Sequence, residues 1–273
     1  MENLALVYMV AGMSSRFGKV KQFAKVGPNN ETLIEYSLNQ ALKAGFSKII
    51  FIVGEKTEHG FKEMFKDSYK GIPVYYALQS FDKEKRDKPL GTVDALCSAL
   101  PFLDCNFIIC NGDDIYGENS FKLLAENIKN KKSCATLGYK LKKVLSETGD
   151  VNRGIFEIEN EKVKSIKEVF NINLKNLNEK NLKEESLASM NIFALTPEIV
   201  PELKNILEDF KEKNKEDRKA ECLLPQELGN LIKAKKIDME IFPTEENWLG
   251  LTNPEDEEKV RNQIKILEKI KKV

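Results

Sequence analysis

The chain has 273 residues, 41% hydrophobic and 32% charged, which is enough apolar material for a sizeable core. Its 43 Lys and Arg balance 43 Asp and Glu, which excludes a broadly basic nucleic-acid face but not a local positive site. The single histidine, His59, excludes a His-based triad and a multi-histidine zinc site, so the chemistry falls to carboxylates, Lys, Arg, backbone amides or a bound metal.

In chain order, residues 4–10 are a continuous apolar run of strand length. Residues 33–44 repeat Leu33, Ile34, Leu38, Ala41 and Leu42 at helical spacing, and Gly45 stands where a C-cap glycine belongs. Strands are predicted at 48–53, 72–78, 107–110 and 134–139, and helices at 61–65, 92–100 and 121–128. Strand alternating with helix is the pattern of βαβ units. Strands apolar on both faces predict a mostly parallel sheet covered by helices on both sides.

After about residue 141 the pattern loosens. Residues 154–158 and 162–166 read as a hairpin around Glu159, Asn160 and Glu161, and 171–185 as a long polar loop. A strand at 187–195, helices at 197–210 and 223–232, a strand at 237–242 and a final amphipathic helix at 255–270 complete the reading. The charge run 211–219 reads as a solvated helix end. No internal repeat or linker interrupts the chain, so a single domain over 1–273 is expected, with halves at 1–140 and 141–273.

Five cysteines, none spaced CxxC and mostly in apolar runs, read as reduced buried thiols of a cytoplasmic protein. The N-terminus lacks the basic start of a signal peptide, and no apolar run approaches the roughly 20 residues that span a bilayer. Neither a membrane nor a nucleic acid is expected as partner; homo-oligomerisation is left open.

In an open parallel sheet, ligands bind beyond the carboxyl ends of the strands. After the first strand, residues 11–28 hold four basic residues, Arg16, Lys19, Lys21 and Lys25, and no acid. Backbone amides and the hydroxyls of Ser14 and Ser15 can approach an anion there. Arg16 can grip phosphate oxygens as a fork and Lys21 supplies a point charge. The loop matches neither GxxxxGK[ST] nor GxGxxG. After the third strand come Gln79, whose carboxamide can read a base edge, and Gly91-Thr92 opening a helix. That pair suits a phosphate or equally an ordinary Thr N-cap. After the fourth strand stand Asn111-Gly112-Asp113-Asp114. Adjacent carboxylates there suit magnesium shared with substrate phosphates, or an Asx turn. Gly112, without Cβ, would let the backbone approach an α-phosphate. The three segments together suit a nucleoside triphosphate with Mg2+ or Mn2+.

AGMSSRFGKVKQF, PLGTVDAL and IICNGDDIYG, in this order, resemble the sugar-phosphate nucleotidyltransferases. The likeness is specific over residues 4–140 and looser beyond. It implies a Rossmann-like, mostly parallel mixed sheet with helices on both faces and a small mixed-sheet elaboration over the acceptor. It also implies that Ala11, Gly12, Met13, Ser14 and Ser15 hold the nucleoside. Gln79, Gly91 and Thr92 would lie near the base, Arg16 and Lys21 would neutralise the triphosphate, and Asp113 would be the metal ligand. Arg153, Gly154, Glu168, Asn191 and Glu221 would line the acceptor. The chain departs from the pattern at Ser14, Val20 and Val169, and at Gly250, where many relatives carry a second metal-ligating Asp.

The activity implied is transfer of a nucleoside monophosphate from an NTP to a sugar 1-phosphate, with release of pyrophosphate. Catalysis would rest on Arg16, Lys21 and Asp113. An alternative keeps the chemistry but takes CTP with phosphocholine or another polyol phosphate; Trp248, Tyr116 and Phe193 are the candidates to cage a quaternary ammonium. A reading of another class is a nucleotide or sugar-nucleotide sensor without catalysis. Arg16, Lys21 and Asp113 argue against it, since binding alone does not need all three.

Overall fold

The computed structural model describes residues 3–12, 20–131, 133–146, 149–251 and 256–270. The first strand, β1 (Leu4–Met9), alternates between two cores: Leu4, Leu6 and Tyr8 face one, Ala5 and Val7 the other. Both faces being apolar, both must be covered. The first helix, α1 (Leu33–Ala41), opens on a reciprocal cap. Thr32 Oγ1 accepts from the Glu35 N–H, and the Glu35 carboxylate accepts from the Thr32 N–H at 2.9 Å. A 3-10 turn at Leu42–Ala44 follows, and Gly45, at φ +78°, provides the left-handed stop.

Next come β2 (Lys48–Val53), α2 (Glu58–Phe65), the two-residue β3 (Ser68–Tyr69), β4 (Ile72–Leu78), α3 (Thr92–Ser98) and β5 (Asn106–Asn111). The chain continues through β6 (Asp114–Ile115), α4 (Glu118–Lys131), β7 (Cys134–Lys140) and the single turn α5 (Leu141–Val144). A long hairpin, β8 (Val151–Glu159) and β9 (Lys162–Ile172), turns on Asn160 and Glu161, both at positive φ. Then follow β10 (Leu187–Ser189), β11 (Phe193–Leu195), α6 (Ile199–Lys213), α7 (Leu224–Lys233), β12 (Met239–Thr244), β13 (Leu249–Gly250) and α8 (Asp256–Ile270).

Eleven strands form one sheet in the order β10-β8-β9-β12-β7-β11-β5-β1-β2-β4-β3. β4, β2, β1 and β5 are mutually parallel, and β12 is parallel to β7. β11 runs antiparallel between β5 and β7, which makes the sheet mixed. Side chains of α1, α2 and α4 pack on one face (Leu38, Phe61, Phe121) and those of α3, α6 and α7 on the other (Leu96, Leu203, Leu228). The hairpin β8–β9 and β10 extend the sheet at its far edge.

Two expectations change. The run 187–195 is not one strand: Asn191 stands at φ +56° and divides β10 from β11. The stretch 171–185 is less polar in its role than in its composition, because it begins inside β9 and buries Leu177 and Leu182 in the main core. A separate two-stranded ladder, β6 with β13, pairs Asp114 with Gly250. Val260 and Ile264 of α8 pack with Ile115, Leu249 and Leu251 behind it and hold it in place. All five cysteines are free thiols; Cys110, Cys134 and Cys222 are buried, Cys97 and Cys105 only partly. No described helix is long and apolar enough to cross a membrane.

Candidate functional site

β1 and β5 are parallel neighbours, so their carboxyl ends open on the same edge of the sheet. A cavity of about 300 Å³ lies at that edge. The first half of the chain contributes Lys21, Thr92, Asn111, Asp113 and Asp114 to its wall. The second half contributes Arg153, Gly154, Glu168, Asn191 and Trp248. Residues distant in sequence thus meet at one cavity, where β8, β9 and the β10–β11 break supply Arg153, Gly154, Glu168 and Asn191.

The Lys21 ammonium is ion-paired with the Asp113 carboxylate and also donates to the Leu251 carbonyl at 3.1 Å. Asp113 keeps about a quarter of its side chain exposed to the cavity. Its neighbour Asp114 is only 5% exposed. Burial, then the Asp113 charge, push Asp114 up to about 7, while the Asn111 amide and the Lys21 charge pull the other way. The Asn111 amide donates to Asp114 Oδ2 at 2.9 Å.

Opposite, Arg153 lies over the Trp248 ring, its guanidinium carbon 5.4 Å from the centroid. Its Nε and Nη2 donate to the Val144 carbonyl at 3.2 and 2.8 Å, which aims the group. Burial lowers its pKa, and the charges of Asp114 and Glu168 act against that. Glu168 is held above the ordinary carboxylate range by burial, with Arg153 opposing. Gly154 is paired with Glu168 and Ser189; a Cβ there would meet Ile166 at 3.2 Å and crowd this wall.

The other sequence-derived candidates are placed as follows. Met13, Ser14, Ser15 and Arg16 lie outside the described residues. Ala11 and Gly12 follow β1 but do not line the cavity. Gln79 is buried and spends its amide on the Gly91 carbonyl at 3.0 Å and on Asp94 Oδ2 at 2.9 Å. Gly91, not Thr92, is the N-cap of α3, at φ +96° with the Cys222 backbone against its missing Cβ. Thr92 Oγ1 instead accepts from the Leu224 N–H at 2.7 Å, tying α3 to α7. Gly112 is required by packing: a Cβ would stand 2.1 Å from Val10 Cγ1. Glu221 lies outside the cavity, ion-paired with Lys88. Four further residues line the cavity without a role assigned from sequence: Asn111 opens the Asn111-Gly112-Asp113-Asp114 turn, Ser189 and Met190 directly precede Asn191, and Asn152 precedes Arg153.

The donor set suits a divalent ion only as a shared ligand. Among the described residues no three His, Cys, Asp or Glu gather as a metal cluster. A magnesium ion needs only one or two protein carboxylates when phosphates and water complete its shell, and Asp113 presents one. Gly250 adds none. Its missing Cβ position is crowded by the Trp248 ring at 2.5 Å and by Asp114 Oδ1 at 2.8 Å, so the ladder leaves no room for a side chain there. His59 is exposed on α2 beside Glu63, away from the cavity. Burial raises the Cys110 and Cys222 thiols, so neither is an activated nucleophile.

A family model described as nucleotidyl transferase matches residues 15–265. Solved structures agree in fold at low identity. One described as a glucose-1-phosphate thymidylyltransferase from Bacillus anthracis has a TM-score of 0.69 and 14% identity, over 96% of this chain and 95% of its own. A UDP-glucose pyrophosphorylase complexed with UDP-glucose gives 0.66 and 18%, over 96% and 98%. The inositol-1-phosphate CTP transferase from T. maritima gives 0.66 and 13%, over 97% and 96%. No curated protein sequence matches the chain.

Proposed function

The chain belongs to the nucleotidyl transferase family, and from that premise we propose that it transfers a nucleoside monophosphate from an NTP to a sugar 1-phosphate and releases pyrophosphate. The observation that carries this reading is the cavity itself, where Lys21 and Asp113 face Arg153 and Glu168 across the two halves of the chain. A cation and a carboxylate on each side suit two phosphate-bearing substrates, one of which also offers hydroxyls.

An acceptor phosphate oxygen is already a nucleophile at neutral pH, which agrees with a cavity containing neither His nor Cys. It attacks the α-phosphorus, a new P–O bond forms, and the bond to pyrophosphate breaks with the electron pair leaving on its oxygen. Lys21 leaves Asp113 to meet the triphosphate, and Arg16 joins it. Asp113 would hold a magnesium ion, which when bound neutralises phosphate charge and lowers the barrier to attack. Arg153 holds the acceptor phosphate, and Glu168 and Asn191 receive its hydroxyls. The work is positioning and charge neutralisation.

A phosphocholine acceptor fits this wall poorly. Tyr116 and Phe193 are 0% exposed and cannot form a cage. Trp248 has the Arg153 guanidinium on its ring, where it would repel a quaternary ammonium. The test is pyrophosphate release with CTP, UTP, GTP, ATP and dTTP against sugar 1-phosphates, phosphocholine and glycerol phosphate. Release with a sugar 1-phosphate supports the reading; release with phosphocholine alone, or with no pair, refutes it.

A further inference from the structure

We propose that Tyr116 is a positioning residue whose hydroxyl holds the acceptor wall in register with the carboxylate turn. This rests on the two-substrate reading given above. Tyr116 is fully buried, with its ring edge-on to Phe121 at 6.0 Å. Its hydroxyl accepts from the Asn111 N–H at 3.1 Å and donates to the Met190 carbonyl at 2.8 Å. It lies 3.2 Å from Asp114 Oδ2, which is also held by the Asn111 amide. One oxygen therefore joins the end of β5, the Asp113-Asp114 turn and the break between β10 and β11.

That break needs fixing. Asn191 sits at φ +56°, a conformation that costs a non-glycine residue free energy. Its N–H is held by Ser189 Oγ at 3.2 Å, and the preceding carbonyl, that of Met190, is the one that Tyr116 grips. Asn191 and Ser189 line the cavity on the side assigned to the acceptor, whereas Lys21 and Asp113 line the nucleotide side. The Tyr116 hydroxyl is itself outside the set of cavity-lining groups and acts only through these neighbours. Losing it frees the Met190–Asn191 peptide to turn, while the contacts of Lys21, to Asp113 and the Leu251 carbonyl, do not pass through that peptide.

The test is Tyr116→Phe, which keeps the ring and its packing. Two measurements are made on the same protein. Hydrogen exchange of the amides at 189–192 is expected to quicken about tenfold, the effect of one ordinary hydrogen bond. In the pyrophosphate assay the acceptor KM is expected to rise about tenfold, with the NTP KM within about twofold of wild type. A general loss of stability would not split the two constants in this way. Unchanged exchange at 189–192 overturns the proposal, and so do equal changes in both constants. Wild-type protein without pyrophosphate release refutes the two-substrate reading instead, and the exchange measurement still decides whether Tyr116 holds the break.

Discussion

Adding a single carbon at Gly250 tests the geometry most directly. Gly250 is not among the positive-φ residues, so its backbone admits an L side chain and any cost is steric. An ideal Cβ would stand 2.5 and 2.7 Å from two ring carbons of Trp248 and 2.8 Å from Asp114 Oδ1. The backbone cannot retreat, because Gly250 is paired with Asp114 in a ladder backed by Val260 and Ile264. The ring can yield only by leaving the Arg153 guanidinium. Overpacking of this kind costs about 1–3 kcal/mol, and the lost cation–π contact about 0.5–2 kcal/mol. Gly250→Ala is therefore expected to destabilise by about 1.5–5 kcal/mol, read from urea unfolding midpoints at constant slope. The same change in a Trp248→Leu background is expected to cost clearly less, because only the contact with Asp114 Oδ1 remains; the double-mutant cycle isolates the part owed to the ring. Equal losses in both backgrounds, or a Gly250→Ala protein as stable as wild type, would refute the argument. Gly250→Asp is likewise expected to build no metal site while Trp248 is present.

Three further outcomes are expected. Lys21→Ala should lower turnover by at least about 10²-fold, the usual loss of one preorganised charge-stabilising group; it should also raise Mn2+ affinity of nucleotide-free protein by titration, since the ammonium no longer competes for Asp113. Burial and the Asp113 charge raise Asp114 to about 7; an acid that holds its proton more tightly when folded contributes stability below about pH 4 and loses it as pH rises through about 7. Thermal midpoints of wild type measured in chelator should fall across that window relative to Asp114→Asn, and parallel curves would count against the buried carboxyl. Glu168→Ala should raise the acceptor KM well beyond the NTP KM, whereas Glu221→Ala, which lies outside the cavity beside Lys88, should change either constant by less than about threefold.

Periodicity located the helices longer than one turn and the strands β1, β2, β4, β5 and β7, because burial on one stripe or on both faces writes a period that survives without neighbours; it gave the hairpin strands β8 and β9 too short and ran β10 and β11 together. The capped start of α1 at Thr32 and its stop at Gly45 are local chemistry, and the local sequence specifies them. It likewise specifies the order of the loops after β1, β4 and β5 and the cationic and acidic character of the site they would build. The two-residue strands β6 and β13 write no period; they exist because α8 presses Leu249 and Ile115 into a third small core. That ladder sets Asp114 against Gly250 and puts the Trp248 ring where a side chain at 250 would go, which leaves no room for a second carboxylate there. Gly91 and Gly112 carried a ligand-binding reading in the sequence, yet backbone at Cys222 and a methyl of Val10 account for their missing Cβ atoms. Gln79 and Glu221, polar residues suited by type to a ligand, have their polar groups engaged by Asp94 and Lys88. At the break before Asn191, the Met190 carbonyl accepts from the Tyr116 hydroxyl of a distant segment. Each of these outcomes depends on groups far apart in sequence competing for the same few ångströms, and only the folded chain resolves that competition.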